Sequence, residues 1–308
     1  MVANGMTTET SKQLRGVLKE HEVLSRHTSW RVGGAVKRFY QPADIEDLSL
    51  FLSTVPANEK LYWLGLGSNL LVRDAGFDGT VICTSGVLNS VEVLDEQRLY
   101  VEAGVACPKA AKVSARNALT GAEFLCGIPG TMGGALAMNA GAFGGETWDV
   151  VESVQTINRQ GELTTRSPNE YEVGYRHVSG TFEEGEKSEE WFVSCVLKLT
   201  PGDAVESQSK IKTLLNKRGA SQPTQQPNAG SVFRNPENDY AARLIESCGL
   251  KGTCLGGACV SDKHANFIVN TGTASATDIE DLITKVQQTV KEQTGVELQR
   301  EVKIVGEQ

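Results

Sequence analysis

Seven glycines fall between positions 127 and 145, beginning with Gly127-Ile128-Pro129-Gly130-Thr131-Met132-Gly133-Gly134-Ala135 and continuing through Met138-Asn139-Ala140-Gly141-Ala142. Each glycine costs conformational entropy on folding, a cost easiest to understand where backbone must approach a ligand closely. The proline and the interleaved apolar residues argue against a floppy linker. A second cluster, Gly65-Leu66-Gly67-Ser68-Asn69-Leu70-Leu71, follows the strand-like run Leu61–Leu64. It is not a dinucleotide fingerprint, because Leu70 stands where the third glycine belongs and the residues beyond it look extended, not helical. What remains is either a tight turn or a nest of backbone N–H groups around a phosphate. Two such loops would suit a flat cofactor carrying a pyrophosphate. No Gly-x4-Gly-Lys-Ser/Thr occurs, so a P-loop hydrolase has no support.

The chain of 308 residues is long enough for about two domains. Its net charge of −8 argues against a nucleic-acid groove or a polybasic membrane patch, and leaves room for a local pocket for a small anion. Met1–Glu22 lacks the apolar run of a signal peptide, and Ala118–Gly145 is too glycine-rich for a membrane helix. Seven irregularly spaced cysteines predict reduced thiols and a cytoplasmic protein. Cys248, Cys254 and Cys259 with His264 do not match zinc spacings, so buried free thiols and no metal are expected there.

Periodicity predicts a loose or helical lead-in over residues 1–22 and a helix over Asp44–Val55 capped by Asp44. Hairpins are expected from Val91–Leu94 with Arg98–Ala103, and from Val151–Ile157 with Glu162–Thr165, with a further strand over Trp191–Leu199. Later helices span Val205–Arg218, stopping at Gly219, and Asn238–Cys248, stopping at Gly249. The best helix, Asp278–Gln293, has a stripe of Ile279, Leu282, Ile283, Val286 and Val290. Thr277 and Glu280 have capping-box spacing, and Gly295 closes it. Hairpin strands with helices set apart make an α+β architecture, not a doubly wound sheet.

Three polar segments could carry chemistry: Tyr171-Glu172-Val173-Gly174-Tyr175-Arg176-His177, Gly230-Ser231-Val232-Phe233-Arg234-Asn235-Pro236 and Glu297-Leu298-Gln299-Arg300-Glu301-Val302. None is specific alone. No Gly-x-Ser-x-Gly elbow surrounds Ser231. Alternation alone makes Glu301 a solvated charge.

In order, Thr28-Ser29-Trp30-Arg31-Val32-Gly33-Gly34, the two glycine loops, Tyr175-Arg176, residues 230–236, His264-Ala265-Asn266-Phe267-Ile268-Val269-Asn270 and Glu301-Val302 form one pattern over about residues 20–306. It resembles the UDP-N-acetylenolpyruvoylglucosamine reductase (MurB) family of bacterial peptidoglycan synthesis. The resemblance implies a p-cresol methylhydroxylase-type FAD-binding domain over 23–202. A smaller α+β substrate domain would follow over 203–308, its last strand returning to the active site. It implies non-covalent FAD, NADPH as co-substrate and a UDP-sugar enolpyruvyl ether as substrate, in a monomer with no nucleic-acid partner and no membrane insertion. Gly65, Gly67, Ser68, Asn69 and Leu70 would hold the pyrophosphate. Gly127, Ile128, Gly130, Thr131, Gly133, Gly134, Asn139 and Gly141 would line the flavin. Arg176, Ser231 and Glu301 match the catalytic positions, and Tyr175, Arg234 and Asn235 the substrate contacts. Val178, Arg234 and His27 depart from residues common in the family. The short span between Val178 and Trp191 resembles the subclass without an inserted substrate-covering loop. Another flavin oxidase of the same fold and a non-catalytic flavin or nucleotide-sugar binder are the rival readings.

Overall fold

The computed structural model describes residues 13–181 and 189–308, so most of the Val178–Trp191 span invoked for the loop-less subclass lies outside the described residues. The first elements are β1 (Val17–Val23), β2 (Ala35–Gln41), α1 (Ile45–Thr54), β3 (Leu61–Leu64), β4 (Leu70–Val72) and β5 (Phe77–Cys83). β1, β2, β5 and β3 form one sheet in that order, antiparallel between β1 and β2 and parallel elsewhere. The described part of the lead-in is therefore a strand, neither loose nor helical. Its residues are almost all exposed on the sheet edge, so it carries no apolar period by which to be read. Asp44 caps α1 as expected, accepting from the Asp47 N–H at 2.9 Å, and Leu48, Phe51 and Leu52 pack with Tyr40 and Ile82.

Asp47 locks the start of this unit. Its buried carboxylate accepts from the Tyr40 hydroxyl, the Arg15 N–H at 2.7 Å and the Ala43 N–H at 2.9 Å. Burial pushes its pKa up, and these donors outweigh that and hold it below the usual carboxylate range. Asp47→Ala orphans all three donors and should cost about 3 kcal/mol in urea unfolding at neutral pH. The wild-type contribution is present above the unfolded carboxylate value. It fades as pH falls through the lowered folded value, so the gap between the two proteins should close in acid.

The second sheet is antiparallel and five-stranded, ordered Leu163–Arg166, Val151–Asn158, Glu190–Lys198, β7 (Arg98–Glu102) and β6 (Val91–Val93). Both expected hairpins are present. Its core includes two helices that periodicity missed, α2 (Cys107–Arg116) and α3 (Met132–Met138). α2 buries Ala110, Ala111, Ser114 and Ala115, residues too small to mark an apolar face. α3 begins Met132-Gly133-Gly134, and glycine pairs disfavour helix unless tertiary contacts override them.

The remaining chain adds α4 (Ala204–Ser221), which packs on α2 and joins the second sheet's core through Ile211, and then α5 (Ala241–Ser247) and α6 (Ala276–Thr294) beside a three-stranded sheet of Cys254–Leu255, Ala258–Val260 and Ile268–Asn270. The α6 stripe packs on Leu244, Ile245, Val260 and Val232. Several boundaries differ from expectation. α4 runs through Gly219 to Ser221. α5 starts three residues late, because Asn238 is left-handed (φ 62°) and Asn235 Oδ1 accepts from the Ala241 N–H. Ser275 and Asp278, not Thr277 and Glu280, form the α6 capping box. Thr277 and Glu280 instead tie α6 to the first sheet's loop. Thr277 donates to Asp74, and Glu280 takes Arg73 in a bidentate pair at 2.8 Å. The last strand, Lys303–Val305, returns to pair in parallel with β4. One cysteine expectation is overturned: hairpin register sets Cys254 opposite Cys259, and the two form a disulfide. Cys83, Cys107, Cys126, Cys195 and Cys248 are free thiols.

Candidate active site

β3 runs into the turn at Gly65–Ser68. A Cβ on Gly67 (φ 60°) would lie 2.2 Å from the His27 carbonyl oxygen, and one on Gly65 2.3 Å from Thr131 Oγ1. The two glycine loops thus face one another. The second loop is pinned to the other sheet, since Gly130 O accepts from the Cys107 N–H at 2.9 Å and the Met132 N–H donates to Val105 O at 2.8 Å. Between the loops lies a cavity of about 680 Å³, open also to β3, Trp191, Arg218, Gln222, Ser231, Glu301 and Lys303.

The wall gathers three groups able to handle charge and protons: Arg176, Ser231 and Glu301. Arg176 sits at φ 55° in the tight turn joining the Tyr171–Gly174 and His177–Gly180 strands, and its Nε donates to Glu301 Oε1 at 2.8 Å. Glu301 is 9% exposed. Its N–H donates to Val232 O, and its carbonyl accepts from Asn69 Nδ2 at 3.2 Å. Burial pushes its carboxyl pKa up, and the opposing Arg176 and Arg234 charges do not restore it. A carboxyl that keeps its proton to higher pH than usual, touching a guanidinium, is placed to give and take a proton. Ser231 follows left-handed Gly230 (φ 74°) and precedes Val232 and Phe233, both clamped by Asn266. Phe233 N–H donates to Asn266 Oδ1 at 3.0 Å, Asn266 Nδ2 to Phe233 O at 2.8 Å, and Val232 N–H to Asn266 O at 2.9 Å. The serine is held on rigid backbone.

Of the expected cofactor residues, Gly65, Gly67, Ser68, Asn69, Leu70, Gly127, Ile128, Gly130, Thr131, Gly134 and Gly141 line the cavity. Gly133 and Asn139 stand behind the lining. A Cβ on Gly133 would press on Ala103 at 2.9 Å. Asn139 is 2% exposed and bonds Glu146, Gly174 O and the Trp148 N–H, bracing the hairpin that carries Arg176. The expected substrate contacts Tyr175, Arg234 and Asn235 also lie outside the lining. Tyr175 is 49% exposed with the Arg176 guanidinium 5.3 Å over its ring, and Asn235 is spent partly on the α5 cap. Arg218 and Gln222 were not legible: they sit at the end of α4, and Arg218 Nε donates to Gln222 Oε1 at 3.1 Å. Burial lowers the Arg218 pKa.

The site fits a flavin by a test on its own glycines. Gly65, Gly67 and Gly127 are dictated by neighbouring protein atoms. At Gly130 and Gly134 a Cβ would meet nothing closer than 3.5 and 3.8 Å, and neither has a positive φ. Gly134 lies inside α3, where glycine is costly. Among the described residues nothing asks for glycine there, and the clearance fits a ligand lying flat against the loop.

Comparison with known proteins agrees. Residues 36–167 match the family profile described as FAD binding domain, and residues 222–305 that of the UDP-N-acetylenolpyruvoylglucosamine reductase C-terminal domain. The chain is 56% identical over its full length to UDP-N-acetylenolpyruvoylglucosamine reductase of Legionella pneumophila (strain Corby), covering 98% of that protein. It is 55% identical to that of Methylococcus capsulatus, covering all of this chain and 99% of the relative. The crystal structure of the Thermus caldophilus reductase (MurB) superposes with a TM-score of 0.79 at 32% identity, over 95% of this chain and 99% of that one. The chain belongs to the UDP-N-acetylenolpyruvoylglucosamine reductase family of FAD-dependent oxidoreductases.

Proposed function

We propose that this protein uses NADPH and non-covalently held FAD to reduce UDP-N-acetylglucosamine enolpyruvate to UDP-N-acetylmuramate in peptidoglycan synthesis. The observation that carries this reading is the pair of half-buried Arg176 and buried Glu301 sharing one cavity with Ser231 and both glycine loops. Residues 65–70 would hold the pyrophosphate, and 127–134 with Gly141 the ring system. Bound FAD supplies the hydride that reaches C3 of the enolpyruvyl group. Addition at C3 leaves negative charge spread from C2 into the carboxylate. The Arg176 guanidinium offers a planar fork to that carboxylate, where a low-dielectric site strengthens it. Ser231 Oγ delivers the proton to C2, and Glu301, protonated more readily than an ordinary carboxyl, helps stabilise the enol-like charge and exchanges protons. Arg218, half-buried at the cavity wall, adds a cation for an anionic part of a ligand. Tyr175 and Asn235, with Arg234, would hold the substrate carboxylate and diphosphate.

Among the described residues no helix is long and apolar enough to cross a membrane. We place the protein in the cytoplasm as a monomer, with residues 23–202 serving the flavin and 203–308 the sugar nucleotide. Turnover in deuterated water tests the reading. The product should carry a solvent deuteron at C2. Absence of UDP-N-acetylmuramate, with substrate, NADPH and FAD all shown to bind, would overturn it.

A further inference from the structure

A second cavity, of about 330 Å³, lies in the groove between α2 and α4 and has no lining residue in common with the cavity of the glycine loops. Its apolar part comes from buried Ile211 and partly exposed Leu215, and its charge from Lys112 and Arg116 on α2 and Lys212 on α4. Among the described residues no carboxylate lines it, and none of these three cations has an ion-pair or hydrogen-bond partner. Neighbouring cations on the same helices do find partners. Lys109 donates to the Asn89 carbonyl at 2.8 Å, and Lys210 pairs with Glu123 at 3.2 Å. Arg116 suits the last turn of α2, where a cation meets the negative helix end. Lys112, one turn earlier, and Lys212, on the facing helix, gain nothing of that kind. Like charges four residues apart on one helix repel, and a concave wall focuses their field. In a chain of net charge −8 this concentration runs against the overall balance, and a bound anion relieves it.

We propose that the α2–α4 groove is a binding site for a small phosphorylated molecule. A lone carboxylate carries too little charge to match three cations. A phosphomonoester carries about two negative charges and a diphosphate more, with acceptor oxygens enough for the Arg116 fork and two ammonium groups together. The Gln208 and Asn216 amides stand on the same wall to orient the ligand, and its carbon skeleton would lie on Leu215 and Ile211. The site stands apart from the flavin reading, because none of its residues touches that cavity.

Isothermal titration calorimetry of the full-length protein as purified, with inorganic pyrophosphate and with glycerol 3-phosphate at constant ionic strength, tests the proposal. At least one should bind saturably, and the tighter of the two tells a diphosphate site from a monoester site. Replacing Lys112, Arg116 and Lys212 together by glutamine should weaken that binding at least about tenfold, and Lys212→Gln alone about threefold. Lys285→Gln, on the exposed face of α6, should change it by less than about twofold. The three side chains are exposed, so the triple variant should keep its fold, read as an unchanged circular dichroism spectrum. No saturable binding of either compound, or an affinity that neither the single nor the triple variant alters, would overturn the proposal.

Discussion

Ser231→Ala should leave reduction of the bound flavin by NADPH nearly untouched while slowing its reoxidation by the enolpyruvyl substrate at least about 10²-fold, the low end for losing a positioned general acid. The selectivity follows from chemistry: a proton is needed at C2 only after the sugar nucleotide has bound. Asn266 clamps the backbone on both residues after Ser231, so the alanine variant should keep its fold. Ser231→Cys should retain more activity, since a thiol still donates. Glu301→Gln should slow the same half-reaction. In wild type that rate should fall as pH rises through the elevated Glu301 pKa, and the glutamine variant should lose this limb. Stopped-flow absorbance of each half-reaction separates the outcomes. Equal slowing of both halves in Ser231→Ala would make the serine a flavin-positioning residue.

At Gly134 stability and cofactor binding should move in opposite directions. A methyl there meets only Thr131 Oγ1 at 3.8 Å, so Gly134→Ala should stabilise the apoprotein by about 0.5–1 kcal/mol through helix propensity. The same methyl fills space assigned to the ring system, so FAD should bind more weakly. Gly134→Leu should lose most of its flavin, a loss of about 10²-fold or more in affinity if the blocked approach costs about 3 kcal/mol. Gly130→Leu should behave alike. Full occupancy with an unchanged flavin spectrum in both leucine variants would remove this loop from the site.

The glycine loops were legible because their density is local information. Which glycines serve the fold was not, since that depends on contacts such as Gly65 with Thr131, far apart in the chain. Glu301 shows the limit more sharply. Strand alternation made it a solvated charge. The structure reverses this, burying Glu301 through Val232 and Asn69 and exposing Arg300. Only the family resemblance put Glu301 among the site residues, opposite Arg176, and the structure bonds the two directly. β1 escaped notice because an exposed edge strand needs no apolar pattern, and the Cys254–Cys259 bond because cysteine spacing was weighed against zinc sites and not against hairpin register. The α6 stripe, by contrast, was fully visible, since a long amphipathic helix writes its period into adjacent turns.

An anaerobic titration of the purified protein tests the central claim most directly. The protein should be yellow and should release intact FAD into solution on acid precipitation. One equivalent of NADPH should bleach it without the sugar nucleotide, and one equivalent of UDP-N-acetylglucosamine enolpyruvate should then restore the oxidised spectrum. A flavin that NADPH never reduces although both are bound, or a reduced flavin that the enolpyruvyl substrate leaves bleached, would contradict the account.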